Sequence, residues 1–413
     1  MMRQPLPIKI AYLFLFIYIV IYCLSTQFFP TFIVKPIWSV LVPWFAKLLG
    51  ETADATPFPT GSGDTYFNYY QLLLFFLISL LTAVILGIVD RKRTSYLHLH
   101  KWLILLLRYY IGFQMINYGL AKIFYLQFGE ISIQSLRQPF GDMTPMGLLW
   151  RFMGFSKAYC MFTGFAEFIG GILLLSRRTT LLGALITFGV MVNVMMMNYC
   201  YDVPVKLLST HLVVFSLIII SFWGRNLIDF FFEGRGFEPR QLDDIVALKH
   251  QKVKNYIKWI LIFLFMAYSF YQLYSYTSII EERNTPKVAF YGIYDVEKFE
   301  KFRDGERMEN PVPESIWKEL FIQPNGESNI DFLTGYPSKR TVKIDTAEHI
   351  IVFITNPQDS SGTNYSYEFR EGGKLILNGN IKEDSLSIEL QERKPFRLTS
   401  TGFNWVNQYP NSR

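Results

Sequence analysis

The sequence predicts a membrane-embedded bundle of about seven transmembrane α-helices, followed by a small extracytoplasmic antiparallel β domain that is either a barrel or a sandwich. Hydrophobic residues make up 51% of the 413 positions, and they cluster in runs near bilayer length. Lys and Arg concentrate in alternate connections between these runs, which is the pattern that orients membrane spans. After Thr277 the apolar runs shorten and alternate with period two, which is typical of strands.

Seven apolar runs are long enough to cross a bilayer. They cover residues 8–28, 67–89, 102–126, 158–176, 181–200, 207–223 and 256–277. The first run begins beside Arg3 and Lys9, as the apolar part of a signal peptide would. No small-residue cleavage site follows it, so we expect it to be a retained anchor.

The positive charges between the runs predict the orientation. They fall after the second, fourth and sixth runs, which places those connections in the cytoplasm. An odd number of spans then puts the N-terminus inside and the C-terminal β domain outside. The charges concerned are Arg91, Lys92, Arg93, Arg177, Arg178, Arg225, Arg235, Arg240, Lys249, Lys252 and Lys254.

Four segments follow from this organisation: N-terminal spans in 1–100, a helical bundle in 101–225, a cytoplasmic loop with the seventh span in 226–280, and the β domain in 281–413. Two outer connections, 30–65 and 127–157, contain helical patterns rich in aromatic residues. We expect helices lying on the outer leaflet there, with Trp38, Trp44 and Trp150 at headgroup depth. Ordinary covered loops are the alternative.

The β domain is predicted from five alternating runs: KVAFYGIYDV, HIIVFIT, TNYSYEFR, GKLILNG and DSLSIELQE. The segments NGNIKED and REGGK carry turn residues for hairpins between the later strands. A helical period is conceivable only around VPESIWKEL. Aromatic residues could fill the interior of such a domain without any ligand.

Composition and motifs exclude several function classes. The net charge of +6 is distributed by topology rather than along one surface, so no nucleic-acid partner is implied. Cys23, Cys160 and Cys200 show no CxxC spacing, so neither disulfides nor a thiolate metal site is expected. Met191 and Met195–Met197 would suit cuprous ion, but adaptable core packing is the better interpretation, and we expect no metal.

Glu167 is the strongest single signal for function. It lies near the middle of the fourth run, where a charge is costly and rare. Gly164, Gly170 and Gly171 share its helical face, so that another helix can approach and shield the carboxylate from lipid. Glu167 therefore belongs either to a functional cavity or to a structural ion pair or protonated carboxyl that ties two helices together.

Two cations in the third run are candidate partners. Arg108, Met115 and Lys122 recur at seven-residue spacing, which places both charges on one face of the helix. We expect Lys122 to reach inward and pair with Glu167. Snorkelling of Lys122 and Arg108 to the two membrane surfaces is the alternative.

Further polar residues gather at the same outer level. Asn193 lies in the outer half of the fifth run, Asp202 and Lys206 lie in the next loop, and His211 enters the sixth run. If these spans bundle, Lys122, Glu167, Asn193 and His211 converge on a polar pocket that opens outward. The alternatives are that His211 is a hydrogen-bonded packing residue and that Asp202 and Lys206 cap a short turn.

Three stretches within 102–223 carry a resemblance to a known family. They are GLAKIF in 119–124, GFAEFIGGILLLSRRTTLLGA in 164–184 and NYCYDVPVKLLSTHL in 198–212. They resemble the DoxX-type membrane proteins, whose four-helix unit has a Gly-x-x-Lys, a Glu amid glycines and a basic Arg-x-Thr turn.

This resemblance implies a multi-pass protein of the bacterial inner membrane, with the lipid bilayer as its first partner and a link to membrane redox processes. The sequence offers no cofactor motif, so a quinone pocket or a docking surface is the most that a redox role could use. We favour a pocket for a quinone or other lipid-like molecule. The alternatives are a scaffold whose β domain recruits an extracytoplasmic or membrane protein partner, and a small-molecule transporter, which the lack of an inverted repeat disfavours.

Overall fold

The computed structural model describes residues 5–28, 31–50, 64–90, 97–236, 251–355, 362–381, 383–394, 396–402 and 406. The chain forms two compact units, Met1–Leu273 and Tyr274–Arg413. The described part of the first unit is helical, and that of the second is built mainly of strands. The prediction of apolar helices followed by an antiparallel β domain is confirmed.

The described helices are bounded as follows: α1 Leu6–Cys23, continued by a π-helical turn Leu24–Phe28; α2 Thr31–Leu48; α3 Tyr66–Val89; α4 Leu97–Ile123; α5 Ile133–Arg137; α6 Pro145–Phe155; α7 Lys157–Leu175; α8 Thr180–Cys200; α9 Lys206–Ser221; α10 Gly224–Phe232; α11 Gln251–Asn284; α12 Arg397–Ser400. Side chains cap the N-termini of α6 and α7. The hydroxyl of Thr144 accepts from the backbone N–H of Gly147 at the start of α6, and Ser156 accepts from Tyr159 at the start of α7.

In the part of the chain that the structure describes, five helical segments are long and apolar enough to cross a membrane. They are Leu6–Thr26, Tyr66–Val89, Lys157–Leu175, Thr180–Cys200 and Asn255–Glu281. The predicted sixth span, α9, qualifies only together with α10, from which it is bent by 75°. These helices are compatible with a multi-pass membrane protein, and the count of seven spans stays a prediction.

The predicted third span, α4, is not among those five segments. It carries Arg108, Gln114 and Lys122, all of which are buried. Leu107, Ile111 and Met115 of the same helix are also fully buried and belong to the main core of the helical unit. Helix α4 is therefore central in this unit, and neighbouring helices cover the polar groups that would be costly in lipid.

The segment predicted as a four-helix bundle forms a chain of helix contacts. Helix α4 packs along α7, α7 packs on α8, and α8 packs on α9. The N-terminal helices α1 and α3 pack on each other, and α1 also contacts α4. The N-terminal spans are thus part of the same compact unit as the bundle.

Glycines set the close contact between α4 and α7. A Cβ atom added at Gly119 would lie 2.7 Å from the carbonyl oxygen of Gly164 and from the nitrogen of Phe168. A Cβ at Gly171 would lie 2.7 Å from the carbonyl oxygen of Gly112. The two antiparallel helices therefore cross with backbone against backbone, as small residues allow in membrane helices.

The two connections expected at the membrane surface do contain helices, α2 and α6. Trp38 of α2 packs against Phe75 with ring centroids 4.8 Å apart, and its indole N–H donates to Ser25 at 3.1 Å. Trp44 is 60% exposed. Their depth at a bilayer surface stays a prediction.

The β unit is a closed antiparallel barrel of eight strands. The described strands of this unit, all of which except β2 belong to the barrel, are β1 Gly292–Arg303, β2 Glu306–Arg307, β3 Trp317–Ile322, β4 Glu327–Phe332, β5 Ser338–Asp345, β6 Ile350–Ile354, β7 Gly362–Arg370, β8 Lys374–Ile381 and β9 Asp384–Glu392. From β3 to β9 each strand pairs with the next, and β1 pairs with both β3 and β9. This pairing closes the barrel and leaves β2 as a short extension on β1.

The bounds of the strands correct one prediction and agree with another. The first strand begins at Gly292, so the leading part of KVAFYGIYDV lies outside it. The connection between β8 and β9 lies within NGNIKED, as predicted, because Ile381 pairs with Asp384, whereas Asn378 and Gly379 lie inside β8 and pair with strands on both sides. The turn predicted in REGGK is confirmed, with Gly372 and Gly373 at φ +85° and +79°.

An acidic residue at the start of β9 makes barrel stability pH-dependent. Asp384 pairs with Lys301 and Arg303 of β1, each at 2.7 Å, and these cations lower its pKa to about 2. The unfolded pKa is about 3.9, so the pairing stabilises the barrel above about pH 4 and is lost as the pH falls towards 2.

We therefore expect Asp384→Asn to lower the melting temperature of the barrel at pH 6, and by much less at about pH 2. The measurement is thermal melting of the segment 285–413, whose circular dichroism spectrum should be of β type. An equal loss at both pH values would show that the ion pairs are not responsible.

Candidate functional site

A cavity of about 290 Å³ lies at one end of the helical unit. Its walls come from the C-terminal parts of α4 and α8, the N-terminal parts of α7 and α9, and helix α6. The lining residues are Tyr118, Lys122, Gln127, Phe128, Leu149, Trp150, Met153, Tyr159, Phe162, Thr163, Ala166, Glu167, Val190, Met191, Asn193, Val194, Met197, Asn198, Val203, Val205, Leu208, Ser209 and Leu212.

Lys122 and Glu167 form a buried ion pair on the wall of this cavity. The Nζ of Lys122 donates to Oε1 of Glu167, and the residues are only 5% and 2% exposed. A Cβ at Gly164 would lie 2.8 Å from the Cβ of Lys122, so this glycine lets the lysine pass between the helices. The predicted contact is present, and Lys122 does not snorkel to a surface.

Two acceptor oxygens at the cavity have no hydrogen-bond partner within the described residues. They are Oε2 of Glu167 and Oε1 of Gln127, and both atoms are buried. A buried acceptor without a donor costs free energy, commonly about 1–3 kcal/mol and more when it is charged. Both oxygens therefore remain available as acceptors on the wall of the cavity.

The remaining walls are largely apolar and aromatic. Trp150 packs edge-on against Phe128 with ring centroids 5.2 Å apart, and Phe162, Met191 and Met197 add further apolar surface. Where the chain is described, no three His, Cys, Asp or Glu residues are grouped so as to hold a metal ion. Met191 and Met197 lie in the wall of the cavity.

The two asparagines of α8 also line the cavity. Asn193 lies there as the sequence predicts. Asn198 is 5% exposed, and its amide donates to the carbonyl oxygen of Val205 at 3.4 Å. They bring polar groups to the side of the cavity formed by α8.

Asp202 and Lys206, the two candidates from the loop after α8, do not line the cavity. They form an exposed ion pair with Nζ and Oδ1 2.7 Å apart, in which the Asp202 side chain is 82% exposed. The start of α9 is instead capped by Asp64, which accepts from the backbone N–H groups of Lys206 and Leu207. The capping residue lies far away in the sequence, so local patterns could not reveal it.

The prediction that His211 lies in the pocket is wrong. Its ring stacks on Tyr22 with centroids 3.9 Å apart, and its Nε2 lies 2.8 Å from the hydroxyl of Tyr18. These contacts place His211 against α1, whereas Ser209 and Leu212 provide the α9 wall of the cavity. The alternative that His211 is a hydrogen-bonded packing residue agrees with this geometry.

Arg108 shares the face of α4 that contacts α7, as predicted, but it lies at the other end of α7. Its Nε donates to the carbonyl oxygen of Leu174 at 3.1 Å, and the residue is 2% exposed. Arg108 and Lys122 therefore belong to two different polar sites along one helix crossing.

The comparisons with known proteins give one relative. The chain is 37% identical over 124 residues to the "Uncharacterized protein YwoB" of Bacillus subtilis (strain 168), a match that covers 79% of that protein and 30% of this chain. The chain belongs to the YwoB family. No family model and no solved structure matches. YwoB is itself uncharacterized, so membership of its family assigns no activity, and the geometry of the site must suggest the function.

In this YwoB-family chain the sequence interpretation missed several residues of the site. Tyr118, Gln127, Trp150 and Ser209 line the cavity without having been predicted there. One signal could have located the crossing more firmly: the glycines of α4, at 112 and 119, have the same seven-residue spacing as Gly164 and Gly171 of α7. Such matched small residues favour a close helix pair.

Proposed function

We propose that this chain is a DoxX-like protein of the bacterial inner membrane that binds a small amphipathic molecule, such as a quinone in its reduced form, in the cavity at the Lys122–Glu167 pair. The observation that carries the proposal is the buried Oε2 of Glu167, which has no partner among the described residues on the wall of a mostly apolar cavity. Apolar cavities with a few convergent polar groups are the usual form of small-molecule sites.

The chemistry of the polar groups narrows the class of ligand. An ionised carboxylate only accepts hydrogen bonds, and so does the amide oxygen of Gln127. A ligand that satisfies them must bring donors, as the hydroxyl groups of a quinol do. The carbonyl groups of an oxidised quinone have no proton to donate, so we expect weaker binding of that form.

The size and the walls suit the head group of such a molecule. A volume of about 290 Å³ is near the lower end of ligand sites, which begin at about 300 Å³. Trp150, Phe162 and Tyr159 can pack on an aromatic ring, and a longer apolar tail would extend beyond the cavity. The chain would present this molecule to a redox partner, because its own sequence contains no cofactor motif.

Analysis of bound lipids tests the proposal. Protein purified in mild detergent is extracted with organic solvent, and the extract is examined for quinones by chromatography and mass spectrometry. We expect close to one quinone or quinol per chain in the wild type and a large loss in Glu167→Gln. The matched control is Asp202→Asn, which makes the same change at an exposed carboxylate near the same end of the bundle and should retain the compound.

The absence of any such compound from the wild type would favour the scaffold alternative. In that case the charges are structural, and the barrel recruits a protein partner. Equal retention in wild type and Glu167→Gln would show that the compound binds elsewhere.

The orientation is part of the proposal. Positive charge in alternate connections supports a cytoplasmic N-terminus and an extracytoplasmic barrel. Alkaline phosphatase fused after Arg413 should be active, and a fluorescent protein that matures only in the cytoplasm should stay dark there. The reverse pair of results would refute this topology.

A further inference from the structure

A second pair of cations, the buried Arg108 and the half-buried Lys258, lies at the C-terminal end of α7, away from the cavity. The Nε of Arg108 donates to the carbonyl oxygen of Leu174 at 3.1 Å, and the Nζ of Lys258 in α11 donates to that of Leu175 at 2.6 Å. Both cations also lie about 6 Å from the ring of Tyr109, at 6.0 Å and 5.8 Å from its centroid. They therefore occupy one small region.

Within the described residues neither cation is paired with a carboxylate. The bonds to the two carbonyl oxygens complement the end of α7, but they leave donors unused. The Nη2 of Arg108 is buried and has no hydrogen-bond partner in the described part of the chain. A buried guanidinium without an anion is costly, and the described residues supply no negative charge to this one.

An apolar groove of about 420 Å³ adjoins the cations between α4 and α11. Lys258 and Tyr109 belong to its lining, so the groove begins where the cations are. Trp102 is 47% exposed, as an aromatic residue at a membrane interface would be. The lining residues are Trp102, Leu105, Leu106, Tyr109, Phe113, Lys258, Leu261 and Ile262.

We propose that Arg108 and Lys258 bind the phosphate of an anionic phospholipid, whose acyl chain lies in this groove. The phosphate supplies the missing negative charge and accepts from the unused donor of Arg108. The acyl chain covers the apolar surface of Leu105, Leu106 and Leu261. Basic pockets between membrane helices are a recognised form of lipid site, and the inference rests on the membrane location proposed above.

Thermal unfolding of the delipidated full-length chain in detergent tests this. The additives are dioleoyl phosphatidylglycerol, dioleoyl phosphatidylcholine and inorganic phosphate at matched ionic strength. We expect a saturable rise in melting temperature with phosphatidylglycerol alone. Lys258→Gln should weaken the apparent affinity by about fivefold, the usual contribution of one basic residue near a membrane surface.

Controls separate this site from general charge effects. Arg178→Gln removes an exposed cation at the same end of α7 and should leave the response unchanged. Asp202→Asn should also respond like the wild type, because this exposed carboxylate lies away from the two cations. Arg108→Gln should abolish the response. If Arg108→Gln does not fold, the result with Lys258→Gln still decides the test.

Three results would overturn the proposal. Equal shifts with both lipids would mean that the head group is not recognised. An equal loss in Arg178→Gln and Lys258→Gln would indicate diffuse surface charge. A full shift with inorganic phosphate alone would indicate a free anion rather than a lipid.

Discussion

Removing either charge of the Lys122–Glu167 pair is expected to destabilise the helical unit severely. Lys122→Met leaves a buried carboxylate without its cation, and Glu167→Gln leaves a buried ammonium without its anion. Breaking a buried pair in this way costs about 3–5 kcal/mol. The double variant Lys122→Met/Glu167→Gln leaves no uncompensated charge, so it should recover much of that loss.

Thermal unfolding in detergent and membrane yield measure these effects in a double-mutant cycle. The exposed Asp202–Lys206 pair near the same end is the matched control, and its removal should change stability little. If the two single losses simply add in the double variant, the residues are not coupled and the site loses its central element.

The second large effect is expected at the glycine crossing. Gly119→Ala places a methyl group 2.7 Å from backbone atoms of Gly164 and Phe168, and neither backbone can rotate away as a side chain could. The helices must separate, which loosens the packing of Ile116 and Leu120 and displaces Lys122 from Glu167. Overpacking of this kind costs about 1–3 kcal/mol, before the weakened ion pair is counted.

Gly189→Ala is the matched control for this substitution. Gly189 lies within α8, and a Cβ atom there meets nothing within 4 Å. Since Ala favours a helix over Gly by up to about 1 kcal/mol, the control should be neutral or slightly stabilising. A loss as large in Gly189→Ala as in Gly119→Ala would contradict the view that close backbone contact holds α4 and α7 together.

The sequence was most informative at Glu167. A carboxylate at Glu167 within an apolar run required shielding, the glycines on its face offered a close neighbour, and Lys122 was the cation within reach. The contact between the two side chains was expected from these local facts, with snorkelling of Lys122 to the membrane surface as the alternative. The same reasoning predicts neither the shape of the cavity nor its unpartnered oxygens, because these depend on α6 and on the loop carrying Gln127.

The rotation of α9 about its axis could not be predicted from its own residues. His211 was expected in the pocket, but stacking on Tyr22 turns it towards α1, and Leu212 faces the cavity instead. The residues of α9 alone do not distinguish the two arrangements, and packing against a distant helix decides between them. Trp150 shows the same effect, because a residue expected at a membrane surface lines the cavity.

Closure of the β unit is likewise a long-range property. Alternation along each strand predicts an antiparallel sheet, and it fits a barrel and a sandwich equally well. The deciding contact is the pairing of β1 with β9, in which Phe299 lies opposite Ile388. These two are the first and the last described strands of the domain in the sequence. Asn378 and Gly379 resemble a turn locally, but strands on both sides keep them within β8.

The most direct test of the proposed site is equilibrium binding of a short-chain quinol and of its oxidised form to the purified chain. Binding is monitored by quenching of Trp150 fluorescence, with the Trp150→Phe variant as the reference. We predict saturable binding of the quinol, tighter than that of the quinone. Glu167→Gln should weaken quinol binding by about 10- to 100-fold, which corresponds to a hydrogen bond to a charged group, whereas Gly189→Ala should bind as the wild type does. Unsaturable quenching, or equal affinity in wild type and Glu167→Gln, would contradict a ligand site at the Lys122–Glu167 pair.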